Sequence, residues 1–196
     1  MQNPFSRTRF LLSVAQLEQL PPPDLPEVAF AGRSNAGKSS ALNTLCAQKQ
    51  LARVSKTPGR TQLLNFFELA NARLVDLPGY GFADVPLEVR RNWGPLITGY
   101  LRQRESLRGI VLIMDCRRPL TDFDRQMLAW SQEARRPVHI LLSKSDKLGF
   151  VASKQTLLAV QKELSGLPGA PSVQLFSATT KAGLDEARTK VLSWLA

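Results

Sequence analysis

One stretch constrains this chain more than any other: Gly32-Arg33-Ser34-Asn35-Ala36-Gly37-Lys38-Ser39. It fits GxxxxGK[ST], a turn whose glycines let the backbone curl until consecutive N–H groups point inward and hold a polyphosphate. Lys38 adds a point charge for the β- and γ-phosphates, and Ser39 offers a hydroxyl to Mg2+. Such a turn needs a strand before it and a helix after it. Val28-Ala29-Phe30-Ala31 reads as a short buried strand, and Ser40 to Ala47 spaces apolar residues at helical intervals.

The rest of the chain alternates in the same way. Gln62 to Leu69 and Ala72 to Val75 are apolar runs joined by Ala70-Asn71, which predicts an antiparallel hairpin. Val89, Trp93, Ile97, Tyr100 and Leu101 share a helical face that Gly94-Pro95 interrupts, so a kink or break is expected there. Gly109 to Asp115, Val138 to Leu142 and Val173 to Phe176 read as strands. Helices are expected from Thr121, from Ser153 to Leu164, and around Leu184, Ala187, Val191 and Leu195. This order predicts a three-layer α/β/α fold with a mainly parallel six-stranded sheet and one antiparallel strand. The 196 residues suit one domain, read as residues 27–196 after an N-terminal extension of residues 1–26 stiffened by Pro21-Pro22-Pro23.

Composition narrows the class. Hydrophobic residues make up 43% and charged residues 21%, as in globular proteins. No window is long and apolar enough to span a membrane, no signal peptide is evident, and Cys46 and Cys116 lack metal-like spacing, so a cytoplasmic protein is expected. A net charge of +10 favours an acidic partner such as nucleic acid.

Further candidate residues fall where strands run out, which is where parallel sheets bind ligands. Asp76-Leu77-Pro78-Gly79 follows the hairpin: the carboxylate can reach Mg2+ through water, and Gly79 leaves room for a γ-phosphate. Ser143-Lys144-Ser145-Asp146 follows a later strand. Asp146 can accept hydrogen bonds from N1–H and the 2-amino group of guanine, donors that adenine lacks, while Lys144 lays its stem over the base. Ser177-Ala178-Thr179, after Phe176, puts small residues where backbone N–H groups approach a base carbonyl. A phosphate-loop ATPase or small-molecule kinase is the rival reading, and Asp146 with Ser177-Ala178 argues against it.

The order GxxxxGKS, a Thr-bearing loop, DxPG, [NT]KxD and SA resembles translation-factor-type GTPases. More narrowly, Gly32 to Ser40, Ser55-Lys56-Thr57-Pro58-Gly59-Arg60-Thr61-Gln62 and Asp76 to Gly81 are similar to the EngB family over nearly the whole chain. The resemblance implies GTP and Mg2+ binding, a switch role in large ribosomal subunit assembly and a link to septation and cell division. A GTP-dependent septation or membrane-associated factor without direct ribosome binding is the alternative. It also implies that Gly32, Arg33, Ser34, Asn35, Ala36, Gly37, Lys38 and Ser39 hold the phosphates, with Ser39 and Thr61 on Mg2+. Gly59, Arg60, Thr61, Gln62 and Leu63 would form the first switch and Asp76 to Gly79 the second. Ser143 to Asp146, backed by Phe176 to Ala178, would read guanine. Ser143 stands where the family usually has Thr.

Lys38, Thr61 and Gly79 are the expected catalytic contacts. Tyr80 occupies the place of the water-orienting glutamine of Ras-like proteins, so intrinsic hydrolysis should be slow, well below about one turnover per second. Asn35 is a candidate for holding K+ in place of an arginine finger, as in some related GTPases, with bracing of the switch loop as the alternative. Arg33, Arg53, Lys56, Arg60, Arg90 and Arg91, with Arg102, Arg104, Arg117, Arg118, Arg135 and Arg136, supply much of the positive charge, which is expected to dock a monomer on ribosomal RNA. His139, the only histidine, is expected to be structural.

Overall fold

The computed structural model describes residues 3–52, 63–80 and 87–196, the side chains of residues 87–93 excepted. Among the described residues seven strands run in chain order: β1 (Arg9–Val14), β2 (Glu27–Gly32), β3 (Leu64–Glu68), β4 (Arg73–Asp76), β5 (Leu107–Asp115), β6 (Val138–Ser143) and β7 (Ser172–Leu175). They form one sheet in the order β1-β3-β4-β2-β5-β6-β7. Only β3 runs against the rest, pairing antiparallel with β1 and with β4. The six expected strands are all present. The seventh, β1, comes from within residues 1–26 and closes the edge beside β3. Phe10-Leu11-Leu12-Ser13-Val14 reads either as a short strand or as a segment packed on the core, and it is the strand, with Phe10 exposed and only Val14 buried.

Five helices cover the sheet: α1 (Lys38–Leu45), α2 (Leu87–Gln103), α3 (Asp122–Glu133), α4 (Phe150–Leu164) and α5 (Leu184–Leu195). The alternation of β5 explains the layers. Ile110, Leu112 and Met114 face a core shared with α2, α3 and α4, while Val111 and Ile113 face a second core shared with α1 and α5. A strand covered on both sides needs apolar residues at every position, hence the unbroken run in the sequence. Pro95 does not break α2, which runs continuously across it. An interior proline costs about 3 kcal/mol. Leu96, Ile97, Tyr100 and Leu101 are all buried beyond it, and each such burial contributes about 1.5–3 kcal/mol, so packing wins.

Polar order at the sheet's other end corrects one expectation. Glu27, fully buried at the start of β2, accepts hydrogen bonds from Arg104 Nε at 2.9 Å and from the Tyr100 hydroxyl at 3.0 Å. Arg104 also donates to the Pro21 carbonyl at 2.7 Å, tying down the proline-rich approach. Arg136 donates to the carbonyls of Leu101, Leu107 and Arg104 at 2.8–3.0 Å. Arg104 and Arg136 are therefore spent inside the fold and are not part of a docking surface. Removing one partner from a buried pair of this kind costs about 3–5 kcal/mol because it strands the other charge.

His139 is buried in β6. Its Nε2 lies 2.8 Å from Gln174 Oε1 and its Nδ1 2.8 Å from the Ser172 hydroxyl. Gln174 uses its amide N–H on the Gly183 carbonyl, so its oxygen must accept, which puts the imidazole proton on Nε2. Burial holds the imidazole pKa below its ordinary value, with nearby Lys190 acting in the same direction. The unfolded chain then binds a proton more readily than the folded one. Stability should be full above about pH 6.5 and fall as pH drops through that value toward the lower folded-state pKa. Thermal melts between pH 7.5 and 5.5 should show this loss, and His139→Gln should flatten it. A melting temperature in the parent that is constant over that range would refute the assignment.

Candidate nucleotide-binding site

The phosphate loop leaves β2 at Gly32 and enters α1 at Lys38, as the motif requires. Its backbone is held from three directions. The Ser34 N–H donates to the Tyr80 carbonyl at 2.7 Å, so the segment after β4 lies alongside the loop. The Ser143 hydroxyl, at the end of β6, donates to the Ala36 carbonyl. Lys144 Nζ donates to the Asn35 carbonyl at 2.5 Å. Serine at 143 thus reaches the loop without the methyl group of a threonine. Gly37 precedes the helix with φ of 101°, a left-handed conformation that side chains resist, and a Cβ there would lie 3.4 Å from Ser143 Oγ.

Lys38 Nζ forms an ion pair with Asp76 Oδ1 at the end of β4. Ser39 follows in the first turn of α1. Ser39 and Asp76 present only oxygen donors, the set that suits Mg2+. Leu77 is buried and its N–H donates to the Phe30 carbonyl at 2.9 Å, prolonging the β2–β4 pairing before Pro78. A Cβ on Gly79 would make only ordinary contact, 3.6 Å from Ser34 Cα. Among the described residues nothing crowds that position.

Asp146 is built by two loops together. The Ser177 hydroxyl donates to Asp146 Oδ1 at 2.6 Å, and this bond holds the carboxyl below the usual carboxylate range. Ser177 is itself buried, and its oxygen accepts the Thr180 N–H at 3.1 Å. Ser145 donates to the Phe176 carbonyl through its N–H and its hydroxyl, at 3.2 and 3.0 Å. Phe176 is buried, and Ala178 packs against the core beneath. A cleft of about 220 Å3 opens here, lined by Gly37, Ser40, Ser143, Lys144, Asp146, Lys147, Phe176, Ala178 and Thr179. It joins the phosphate loop to the expected guanine-reading carboxylate in one concavity.

Asp115 is a participant that the sequence reading missed. It ends β5, as Asp76 ends β4, and that strand-end place was the available signal. Its carboxylate accepts from Arg117 at 2.9 and 2.7 Å and from Lys144 Nζ at 3.1 Å. The Arg117 guanidinium chiefly holds it well below the usual carboxylate range. Lys144 is in this way fixed between Asp115 and the phosphate loop. Ser177 also has a role that the sequence did not suggest, since it orients Asp146 rather than merely leaving space.

Tyr80 is 2% exposed, and its hydroxyl donates to Asp124 Oδ1 at 3.2 Å within the Thr121–Asp124 capping box of α3. The phenol thus points into the core. Asn35 is exposed with a left-handed backbone. Leu63 is half-buried just before β3. Gly59, Arg60, Thr61 and Gln62 lie outside the described residues, as do Arg53, Lys56 and Gly81 and the side chains of Val89, Arg90, Arg91 and Trp93. Cys46 and Cys116 are buried thiols.

Comparison with known proteins gives a consistent result. Residues 27–144 match the family described as 50S ribosome-binding GTPase. The probable GTP-binding protein EngB of Azoarcus sp. (strain BH72) is 56% identical over 97% of this chain and 92% of its own length. That of Methylobacillus flagellatus is 55% identical over 97% and 93%. Among solved structures, a probable GTP-binding protein EngB aligns with TM-score 0.70 at 21% identity, covering 86% of this chain and 98% of its own. Era, solved in complex with MgGDPNP and nucleotides 1506–1542 of 16S ribosomal RNA, aligns with TM-score 0.66 at 23% identity, covering 88% of this chain and 57% of its own. At those identities the structural likeness establishes the fold.

The Ser177–Asp146 bond is open to a direct check. Ser177→Ala should lower the melting temperature by several degrees, because the Thr180 N–H also loses its acceptor, and weaken binding of a fluorescent GDP to the still-folded protein roughly tenfold, since a hydrogen bond to a charged group contributes about 1.5–3 kcal/mol. An unchanged affinity would mean that Asp146 keeps its orientation unaided.

Proposed function

The chain belongs to the EngB family of GTP-binding proteins, and from that premise we propose that it is a magnesium-dependent switch in assembly of the large ribosomal subunit. It binds GTP and hydrolyses it to GDP and phosphate, as the family does. The observation that carries the site assignment is the shared cleft in which Gly37 of the phosphate loop meets Asp146. Gly32 to Ser39 hold the phosphates, Lys38 neutralises the β- and γ-oxygens, and Ser39 with Thr61 binds Mg2+, Asp76 supporting it through water. Mg2+ supplies charge neutralisation on the transferring phosphoryl group. Asp146, ionised at neutral pH and aimed by Ser177, reads the guanine N1–H and 2-amino group, while Lys144 covers the base.

Hydrolysis needs the water placed in line with the γ-phosphate. The Tyr80 phenol is committed to Asp124, so it does not serve in the glutamine's place. Slow intrinsic turnover, accelerated by an outside group, follows. Asn35 is proposed to help hold K+ as that group. Hydrolysis should then run several-fold faster in K+ than in Na+ at equal ionic strength, and equal rates would reject it.

The ribosomal role is supported by the matching family's description and by the net charge of +10. A requirement in septation follows indirectly, from ribosome supply. A cytoplasmic monomer is the simplest state. Among the described residues no helix is long and apolar enough to cross a membrane. Asp146→Asn decides the base assignment: preference should move from guanine to xanthine nucleotide by at least about tenfold, because a carbonyl at purine C2 pairs with the new amide. Co-sedimentation with large-subunit particles should depend on GTP and fall with salt, whereas indifference to both would count against the ribosomal role.

A further inference from the structure

Many of the described cations already have partners. Arg73, Arg104, Arg117, Arg102 and Arg125 are each paired with a carboxylate. Arg7, Arg9 and Lys49 are exposed, and none of them forms an ion pair among the described residues. Arg9 and Lys49 meet at one place. An open groove of about 480 Å3 runs between the start of β1 and the chain that follows α1, and Arg9, Phe10, Lys49, Gln50 and Leu51 line it. Phe10 is 58% exposed there. It meets Phe67 edge-on, with ring centroids 6.0 Å apart and 74° between the planes, which anchors the ring without covering it by stacking.

The walls of the groove are preformed. Gln48 Nε2 donates to the Ser6 and Thr8 carbonyls at 3.1 and 2.8 Å, binding the α1 side to the β1 side. Asn43, on α1, accepts the Ala52 N–H at 2.7 Å and donates to the Ala52 carbonyl at 3.0 Å. The groove is thus fixed to the helix whose first residue is Lys38.

We infer that this groove binds single-stranded RNA, with Phe10 as a platform for one base and Arg9 and Lys49 pairing with the flanking phosphates. This rests on the nucleic-acid part of the function proposed above and specifies the surface. An exposed ring beside unpaired cations matches the chemistry of single strands, in which unstacked bases lie on aromatic side chains and phosphates meet a basic groove. A duplex keeps its bases stacked and has no use for the ring. Glu68 stands opposite Arg9 across the β1–β3 ladder, and the two cations of the groove outweigh it.

The test is an anisotropy titration of the full chain with a fluorescein-labelled oligouridylate about twelve nucleotides long. Phe10→Leu, which keeps apolar bulk against Phe67, should weaken binding roughly tenfold while leaving the salt dependence unchanged. Arg9→Gln combined with Lys49→Gln should lower the slope of log affinity against log salt by about 0.7 for each phosphate that is no longer neutralised. An RNA duplex of similar length should be insensitive to Phe10→Leu. Equal binding of oligouridylate by the parent and Phe10→Leu proteins, with matching melting curves, would overturn the inference, as would an equal loss for duplex. If the parent protein co-sediments with ribosomal particles and Phe10→Leu changes neither that nor oligouridylate binding, only this inference falls. If the parent does not co-sediment, the ribosomal reading falls as well.

Discussion

Two carbonyls of the phosphate loop are occupied from outside the loop, and the rest of the site depends on this. The Ala36 oxygen is taken by Ser143 and the Asn35 oxygen by Lys144, both from the end of β6. Two of the loop's N–H groups are also engaged, Ser34 with the Tyr80 carbonyl and Ala36 with the Arg33 carbonyl, so the course of the turn is fixed by its neighbours on both sides. A loop shaped before its anion arrives spends less of the binding energy on ordering. The same two residues belong to the stretch that carries Asp146, so the element proposed to check the base also braces the phosphate loop.

Charge placement follows from this geometry. Asp76 balances Lys38, while Asp115 balances Lys144 and Arg117. Each carboxylate ends a parallel strand, so the sheet brings alternating charges to one edge of the molecule. At the opposite end Glu27 gathers Arg104, Arg73 and Tyr100, far from the phosphate loop. The net charge of +10 is therefore a misleading guide to the surface unless spent and free cations are separated. Arg104 and Arg136 serve packing, and the groove beside Phe10 holds cations that remain available.

The strands of the sheet were readable because burial on both faces writes itself as continuous apolar runs, as in Ile110 to Met114. β1 was weakly readable because an edge strand needs no such run. Pro95 misled because local propensity was outweighed by four buried side chains beyond it. The site motifs were readable for a chemical reason: a turn that bonds phosphate tolerates few residues at its glycine and lysine positions. Asp115 escaped because one carboxylate after a strand is common, and only its distances to Lys144 and Arg117 distinguish it.

By itself the sequence determined the α/β class and six of the strands, and it marked the phosphate-loop motif and the carboxylate proposed to read guanine. These depend on local spacing and on residue chemistry, which are written in one dimension. Only the tertiary structure decided which partners those groups take. Ser177 lies 31 residues from Asp146 and bonds to it, Ser143 lies 107 residues from Ala36 and does the same, and the Tyr80 phenol turns inward to Asp124. Contacts of that span are set by how strands order themselves in a sheet, and no local pattern records that order.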